Sequence, residues 1–341
     1  MLAVRYSLPL AGRICLGPGS ITCRQGLYFI RDGLAAECAP LPFFSRESLP
    51  PPGDDTMTGE QPSVAFPLSL LQLGLTPVMP RSSYPLAATS GDLKHLASDL
   101  RQDDLRRDPP EDEDVAAQRS TEQPGLPGCP RICKIKTGRL DSASEARAIR
   151  KFLEAIPDIR IILDPNMRWS RREAEDFIKS LPRERILYVE DLLPDPREAA
   201  AAARNCGVRL GLDQLLRQTD PASWDPGILG ALVIKPMLTG SADQCRKLVD
   251  LALDAGIIPV ISSSMESPWG LGLLTAWADS LPEPIKRRLL LGTDTLSAFP
   301  EEICQAYEAA DPRDIRLLLQ APALQGCFSP PFQLNITGEV P

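Results

Sequence analysis

Histidine is nearly missing: the chain of 341 residues contains one, His95. A Ser-His-Asp triad would have to be built on that residue, and no G-x-S-x-G turn accompanies it. Zinc sites made from several histidines are excluded. In its polar surroundings His95 reads as a surface side chain. Long apolar runs are missing too. Ile228–Ile234 has the length of a strand, whereas a membrane span needs roughly 20 apolar residues. No long apolar stretch follows a basic start at the N-terminus, so neither a signal peptide nor a membrane association is expected. Runs of basic residues are also absent. Lys and Arg number 37 against 45 Asp and Glu, a net charge of −8, which disfavours nucleic acid as a partner. The cysteines number nine and are scattered. The nearest pair, Cys129 and Cys133, has a spacing that is no strong zinc signature. Reduced thiols in a cytoplasmic protein are the expectation.

What is present suits a soluble globular protein: 43% hydrophobic residues on a chain long enough for a large buried core. Two stretches read as irregular. Residues 46–62 hold Pro50, Pro51, Pro52 and Gly53, and residues 101–130 hold the acidic run from Pro109 to Asp114, read as a surface insertion. Beyond residue 130, short β-branched runs alternate with helical segments. The strand candidates are Ile132–Lys136, Ile159–Asp164, Ile186–Glu190, Arg209–Asp213, Ala231–Lys235, Pro259–Ser263 and Leu289–Gly292, with an eighth at Pro85–Ala88. Such alternation means βαβ units and a parallel sheet. Helix starts are marked by the capping boxes Ser142-x-x-Glu145, Ser170-x-x-Glu173 and Ser241-x-x-Gln244, and by Asp195-Pro196. Eight parallel strands favour a closed barrel, and no G-x-G-x-x-G supports a dinucleotide fold. Leu2–Leu10 and Gly26–Ile30 read as strands of a smaller α+β domain.

Five consecutive strands end on a charge: Lys136, preceded by Lys134, then Asp164, Glu190, Asp213 and Lys235. The intervals, 164 − 136 = 28, 190 − 164 = 26, 213 − 190 = 23 and 235 − 213 = 22, are each about one βα unit. All five therefore fall at the C-terminal rim, where barrel active sites lie. A single acid at a strand end is ordinarily a cap or a solvated loop residue, but five in register are not explained that way. Three converging carboxylates repel one another unless a hard, oxygen-seeking cation such as Mg²⁺ intervenes, with Mn²⁺ a possible substitute. A lysine on either side of such a metal can move a proton. Alternation along the strand leaves open whether Lys134 and Lys136 face the same way.

The stretches KIKTG, LDPNMRW, YVED, VIKPMLTGS, VISSSMES and GTDTL, together with GLYFIRDG, ECAPLPFFS and PSVAF near the N-terminus, resemble the muconate-lactonizing branch of the enolase superfamily, and within it the dehydratases that form an aromatic product. That resemblance implies an α/β fold, a modified TIM-type (β/α)7β barrel with an N-terminal α+β capping domain. The capping domain would take residues 1–80, with 312–341 returning to it, and the barrel residues 81–311. It also implies that Lys136 abstracts a proton α to a carboxylate and that Asp164, Glu190 and Asp213 hold Mg²⁺, which stabilises the enediolate. Lys235 would act across the ring through its charge, and Lys134, Asn166 and Ser262 would contact substrate. The partner implied is a small molecule, with no obligatory protein partner. A cycloisomerase, or an epimerase of N-acylamino acids or dipeptides, would share the same rim. A non-catalytic binding barrel would have no physical need for all five charges. The chain departs from the family in reading Glu190-Asp191-Leu192 where Glu-Glu-Pro is usual, and in placing Gln214 rather than Glu after Asp213.

Overall fold

The first strands owe their form to strict alternation. In Leu2–Leu16 (β1), Val4, Tyr6, Leu8 and Leu10 are buried, while Arg5, Ser7 and Pro9 between them are half-buried or exposed, the period of a strand with one covered face. The strand pairs antiparallel with Gly19–Arg31 (β2), and Leu34–Cys38 (β3) adds to the far edge of β2. β1 runs past the expected end at Leu10. A register shift between Pro9 and Ile14 carries it over the exposed Ala11–Arg13, and pairing resumes at Ile14 with Ile21. That outer hairpin has little apolar alternation to betray it. The structure, a computed structural model, describes residues 1–17, 19–87, 92–98 and 131–338. The expected insertion at 101–130 lies outside the described residues, as does Ala88.

Residues 46–62 are not wholly irregular: Thr56–Thr58 forms a strand (β4), and a helix begins at Pro62. That helix, Pro62–Gln72, is buried from Ser63 to Leu71. Helices covered all round lack the polar stripe by which a surface helix is read from sequence.

The parallel strands follow in chain order: Leu86–Ala87 (β5), Ile132–Lys136 (β6), Arg160–Asp164 (β7), Ile186–Glu190 (β8), Leu210–Leu212 (β9), Leu229–Ile234 (β10), Ile258–Ser262 (β11) and Leu290–Gly292 (β12). Two further strands close the chain. Phe332–Gln333 (β13) pairs antiparallel with β1, and Asn335–Thr337 (β14) pairs parallel with β4. The fold is α/β, a modified TIM-type (β/α)7β barrel with an N-terminal α+β capping domain.

The chain packs as two compact units, one of Met1–Arg81, Ile234–Leu251 and Val260–Pro341, the other of Ser82–Val233 and Ala252–Pro259. In the first, a buried polar knot ties the N-terminal strands to the Ser263–Ser267 stretch after β11. Arg24 donates to the carbonyls of Met265 at 2.7 Å and Pro40 at 2.8 Å. The Glu37 carboxylate accepts from the Tyr6 hydroxyl, from Ser267 N at 2.9 Å and from Ser267 Oγ at 2.6 Å. Charges this deeply buried are tolerable only when so bonded.

In the second unit β7 is apolar on both faces until its end: Ile161, Ile162 and Leu163 are all fully buried, as in a parallel sheet covered on each side. Tyr188 of β8 fills space left by two glycines. A Cβ on Gly211 would stand 2.6 Å from Tyr188 Cδ2, and one on Gly230 2.9 Å from Tyr188 Cβ. Helix starts follow the expected signals with one correction. Ser170 and Glu173 form the full capping box, Ser241 and Gln244 bond reciprocally, and Asp195 caps Pro196–Cys206. At Ser142–Ala155, however, the N-cap is Asp141, which accepts from Ala143 N and Ser144 N. Glu145 instead gathers the amides of Gly138, Arg139 and Leu140, each at 2.9 Å. A carboxylate one residue earlier accepts two amides, which a serine hydroxyl does less well.

Candidate active site

The register of the parallel strands brings the charges together. Lys136 pairs with Asp164 across β6 and β7, and Glu190 with Gly211 across β8 and β9. Asp213 then comes just past the end of β9 and is buried. Because Lys134 and Lys136 are two residues apart they share a face of β6, and both ammonium groups reach one oxygen, Asp164 Oδ2. Lys134 Nζ lies at 2.9 Å from it, and Lys136 Nζ donates a short hydrogen bond to it. Lys134 Nζ also donates to Glu190 Oε1 at 2.5 Å. Asn166, in the left-handed region at φ 49°, turns its amide to Asp164 Oδ1 at 3.1 Å, and its own Oδ1 accepts from Lys136 Nζ at 3.3 Å. The loop is held further by Thr137 N donating to the Asp164 carbonyl at 3.0 Å.

Electrostatics differ sharply between these neighbours. Burial disfavours the charged form of Lys134, yet Asp164 and Glu190 together hold its pKa well above the ordinary lysine value. For Lys136 burial prevails, and its pKa is lowered despite Asp164. Burial also opposes ionisation of Asp164, but the two lysines keep its carboxyl far below the usual carboxylate range. Glu190 is pushed up to about 7 by burial, against Lys134 and with the help of Asp164 and Asp213. Its second oxygen, Oε2, is buried with no hydrogen-bond partner.

Asp164, Glu190 and Asp213 present only carboxylate oxygen, the donor set of a hard divalent cation. Among the described residues, no three His, Cys, Asp or Glu side chains are gathered as tightly as a bound metal requires. Lys134 and Lys136 engage Asp164 Oδ2 and Glu190 Oε1 instead. The unpartnered Glu190 oxygen is the feature that fits a cation: a buried charged oxygen without a partner is costly.

Six of the singled-out residues, Lys134, Lys136, Asp164, Asn166, Glu190 and Asp213, lie in one compact unit, and Lys235 and Ser262 in the other. Lys235 directly follows β10 and precedes the short helix Pro236–Thr239, its carbonyl accepting from Leu238 N and Thr239 N, each at 2.9 Å. Ser262 ends β11, and its hydroxyl donates to the Gly292 carbonyl at 3.3 Å. One residue that the strand-end pattern did not single out stands beside the site. Asp191, buried and at φ 45°, accepts from Gln214 N at 2.8 Å and Asp213 N at 3.1 Å. Its signal in the sequence is the second acid of the Glu190-Asp191 pair.

Comparison with known proteins shows which chains this one is similar to. Residues 113–282 match the family described as enolase C-terminal domain-like. The chain is 31% identical over 331 residues to an o-succinylbenzoate synthase of Edwardsiella ictaluri (strain 93-146), covering 89% of this chain and 93% of that protein. Among solved structures, the magnesium-complexed o-succinylbenzoate synthase of Thermosynechococcus elongatus BP-1 superposes with a TM-score of 0.57 at 20% identity, over 87% of this chain and 93% of that one. The L-Ala-D/L-Glu epimerase of Bacillus subtilis superposes with a TM-score of 0.59 at 13% identity, over 88% of this chain and 90% of that one.

Proposed function

The chain belongs to the o-succinylbenzoate synthase family of the enolase superfamily, and from that premise we propose that it dehydrates 2-succinyl-6-hydroxy-2,4-cyclohexadiene-1-carboxylate to 2-succinylbenzoate, a step of menaquinone biosynthesis. The observation that carries this reading is the meeting of Lys134, Lys136, Asp164 and Glu190 at the ends of three successive parallel strands.

Asp164, Glu190 and Asp213 are the residues that would hold Mg²⁺, or Mn²⁺ in its place; the ion, when bound, supplies positive charge beside the substrate carboxylate. The all-oxygen donor set and the partnerless Glu190 Oε2 support the assignment. Lys136 Nζ accepts the proton from the carbon α to that carboxylate, and Asp164 and Asn166 aim it. The C–H and C–O bonds on adjacent ring carbons break, a double bond forms between them, and hydroxide leaves; together with the proton taken up by Lys136 this amounts to the loss of one water. Lys235 stabilises the developing negative charge through its own positive charge, a contribution realised chiefly in the transition state. Lys134, Asn166 and Ser262 contact the substrate, Lys134 as a permanent cation.

Residues 1–80 with 312–341 are proposed as the capping domain and 81–311 as the barrel, on the pairing of β13 with β1 and β14 with β4. Cytoplasmic localisation belongs to the same reading and rests on the eight free cysteines among the described residues.

A turnover assay with the cyclohexadiene carboxylate, run beside N-succinylamino acids, tests the proposal. Formation of 2-succinylbenzoate as the fastest reaction is expected. Epimerisation of the N-succinylamino acids with no aromatic product would replace the dehydratase by an epimerase.

A further inference from the structure

We infer that Asp191 is a positioning residue that sets the backbone bearing Asp213; the inference rests on the proposed metal role of Asp213. The residue combines three features that seldom coincide. It is 1% exposed, its backbone is left-handed at φ 45°, and its carboxylate gathers successive amides of another strand's loop. Oδ1 accepts from Asp213 N at 3.1 Å and, at the long distance of 3.4 Å, from Leu215 N. Oδ2 accepts from Gln214 N at 2.8 Å. In return Asp191 N donates to the Gly211 carbonyl at 3.0 Å, and its own carbonyl accepts from Met167 N at 2.9 Å. Asp191 thus bonds to the loops that follow β7 and β9 while itself following Glu190 at the end of β8. Asp213 lies on the second of those loops, and Asp164 ends the strand that leads into the first, so Asp191 ties the end of β8 directly to the backbone of Asp213 and, through Met167, to the loop behind Asp164.

The physical case lies in what the geometry costs. A non-glycine residue at positive φ is strained, though aspartate tolerates it better than most. A carboxylate buried beside two others is opposed by desolvation and repulsion. Both costs are offset locally by charge-assisted bonds to backbone N–H groups. Amides 213 to 215 are those of the turn leaving β9, so losing their acceptor frees the Asp213 main chain first. Ligand-orienting partners of this kind are worth about 10–100-fold in metal affinity.

Asp191→Asn is the informative variant. Asparagine keeps the size and tolerates the left-handed backbone, and its carbonyl can still face Asp213 N, but its NH2 would oppose Gln214 N–H. Mg²⁺ affinity is measured by calorimetry on the full chain, with thermal melting in chelator alongside. A loss of about 10–100-fold in Mg²⁺ affinity is expected. The control is Asp195→Ala, which removes the exposed N-cap of helix Pro196–Cys206; it should lower the melting temperature while leaving Mg²⁺ affinity within twofold. Asp191→Gly, which keeps the backbone freedom and removes every acceptor oxygen, serves if the asparagine variant does not fold, and should bind Mg²⁺ at least as weakly. Amide exchange in the metal-free parent gives a reading that needs no variant. Slow exchange at Asp213 and Gln214 is expected, and unprotected amides there would overturn the latch. Affinity within twofold of the parent in a variant with a lowered melting temperature would reduce Asp191 to a stabilising residue. A parent chain that binds no Mg²⁺ would overturn the metal assignment itself, a different outcome from a variant that binds as the parent does.

Discussion

At the scale of single residues, the two lysines flanking the proposed reaction divide base from charge. Lys136 must lose a proton to accept one, and arginine in its place keeps the positive charge but stays protonated at any working pH. Lys136→Arg is therefore expected to abolish turnover while Mg²⁺ binding and the melting temperature stay near those of the parent. Turnover within about tenfold of the parent, a barrier change of roughly 1.4 kcal/mol, would place the base elsewhere. Lys235 has a different duty in this reading, so Lys235→Arg should retain a small residual rate that Lys235→Ala lacks. Equal loss in both variants would mean that Lys235 also exchanges protons. The strand-end charges were legible because each sits at a barrel-strand terminus at an interval of one βα unit. The partners of those charges were not. That Lys134 shares Asp164 with Lys136 depends on side-chain reach, and that Asp191 reaches Asp213–Leu215 depends on a left-handed backbone, which no periodicity reports.

At the scale of elements, the parallel strands could be read because short β-branched runs between capped helices have few other uses. β6 and β8 fall where expected, and β7, β9 and β10 end within a residue or two of their expected limits, the usual uncertainty of strand and helix ends. Helix Pro62–Gln72 escaped because it is buried all round and contains Pro67; β4 escaped because its three residues gain their pairing from β14, some 280 positions away. Packing inside the second unit yields a prediction at this scale. Gly211 leaves room for the Tyr188 ring, so Gly211→Ala forces a Cβ to within 2.6 Å of Tyr188 Cδ2. Overpacking of a buried strand costs about 1–3 kcal/mol, to be read from urea midpoints. Truncating the ring in the pair Gly211→Ala, Tyr188→Leu should cost less than the sum of the two single changes. Strict additivity would show that alanine at 211 fits beside an unmoved tyrosine.

At the scale of the whole molecule, the chain order of domains and the packing of the chain are different things. Val260–Pro341, which carries the last barrel strand, packs in the same compact unit as Met1–Arg81, and the Arg24–Glu37 knot shows what binds them. Glu266 belongs to that knot and gives the unit a pH dependence. Its side chain is fully buried. Oε2 accepts from Ser264 N at 2.6 Å, while Oε1 is buried with no partner. Burial first and the Glu37 carboxylate second raise its pKa from 4.5 to about 7, with Arg24 opposing. A carboxyl whose pKa is higher in the folded than in the unfolded chain binds its proton more tightly when folded. The resulting stabilisation is full below pH 4.5 and is lost as pH rises through 7, the reverse of an ion-paired carboxylate. Its size is on the order of 3 kcal/mol at most, since each tenfold gain in proton affinity is worth about 1.4 kcal/mol. Glu266→Gln stays neutral and can still accept from Ser264 N, so it removes the titration while keeping that bond. The variant should therefore gain on the parent progressively between pH 5 and pH 8.5 in chemical denaturation, with the two stabilities closest at the acid end. A difference that stays constant across that range would mean Glu266 keeps its charge in the folded protein and finds, in Arg24, a stronger partner than the geometry gives it.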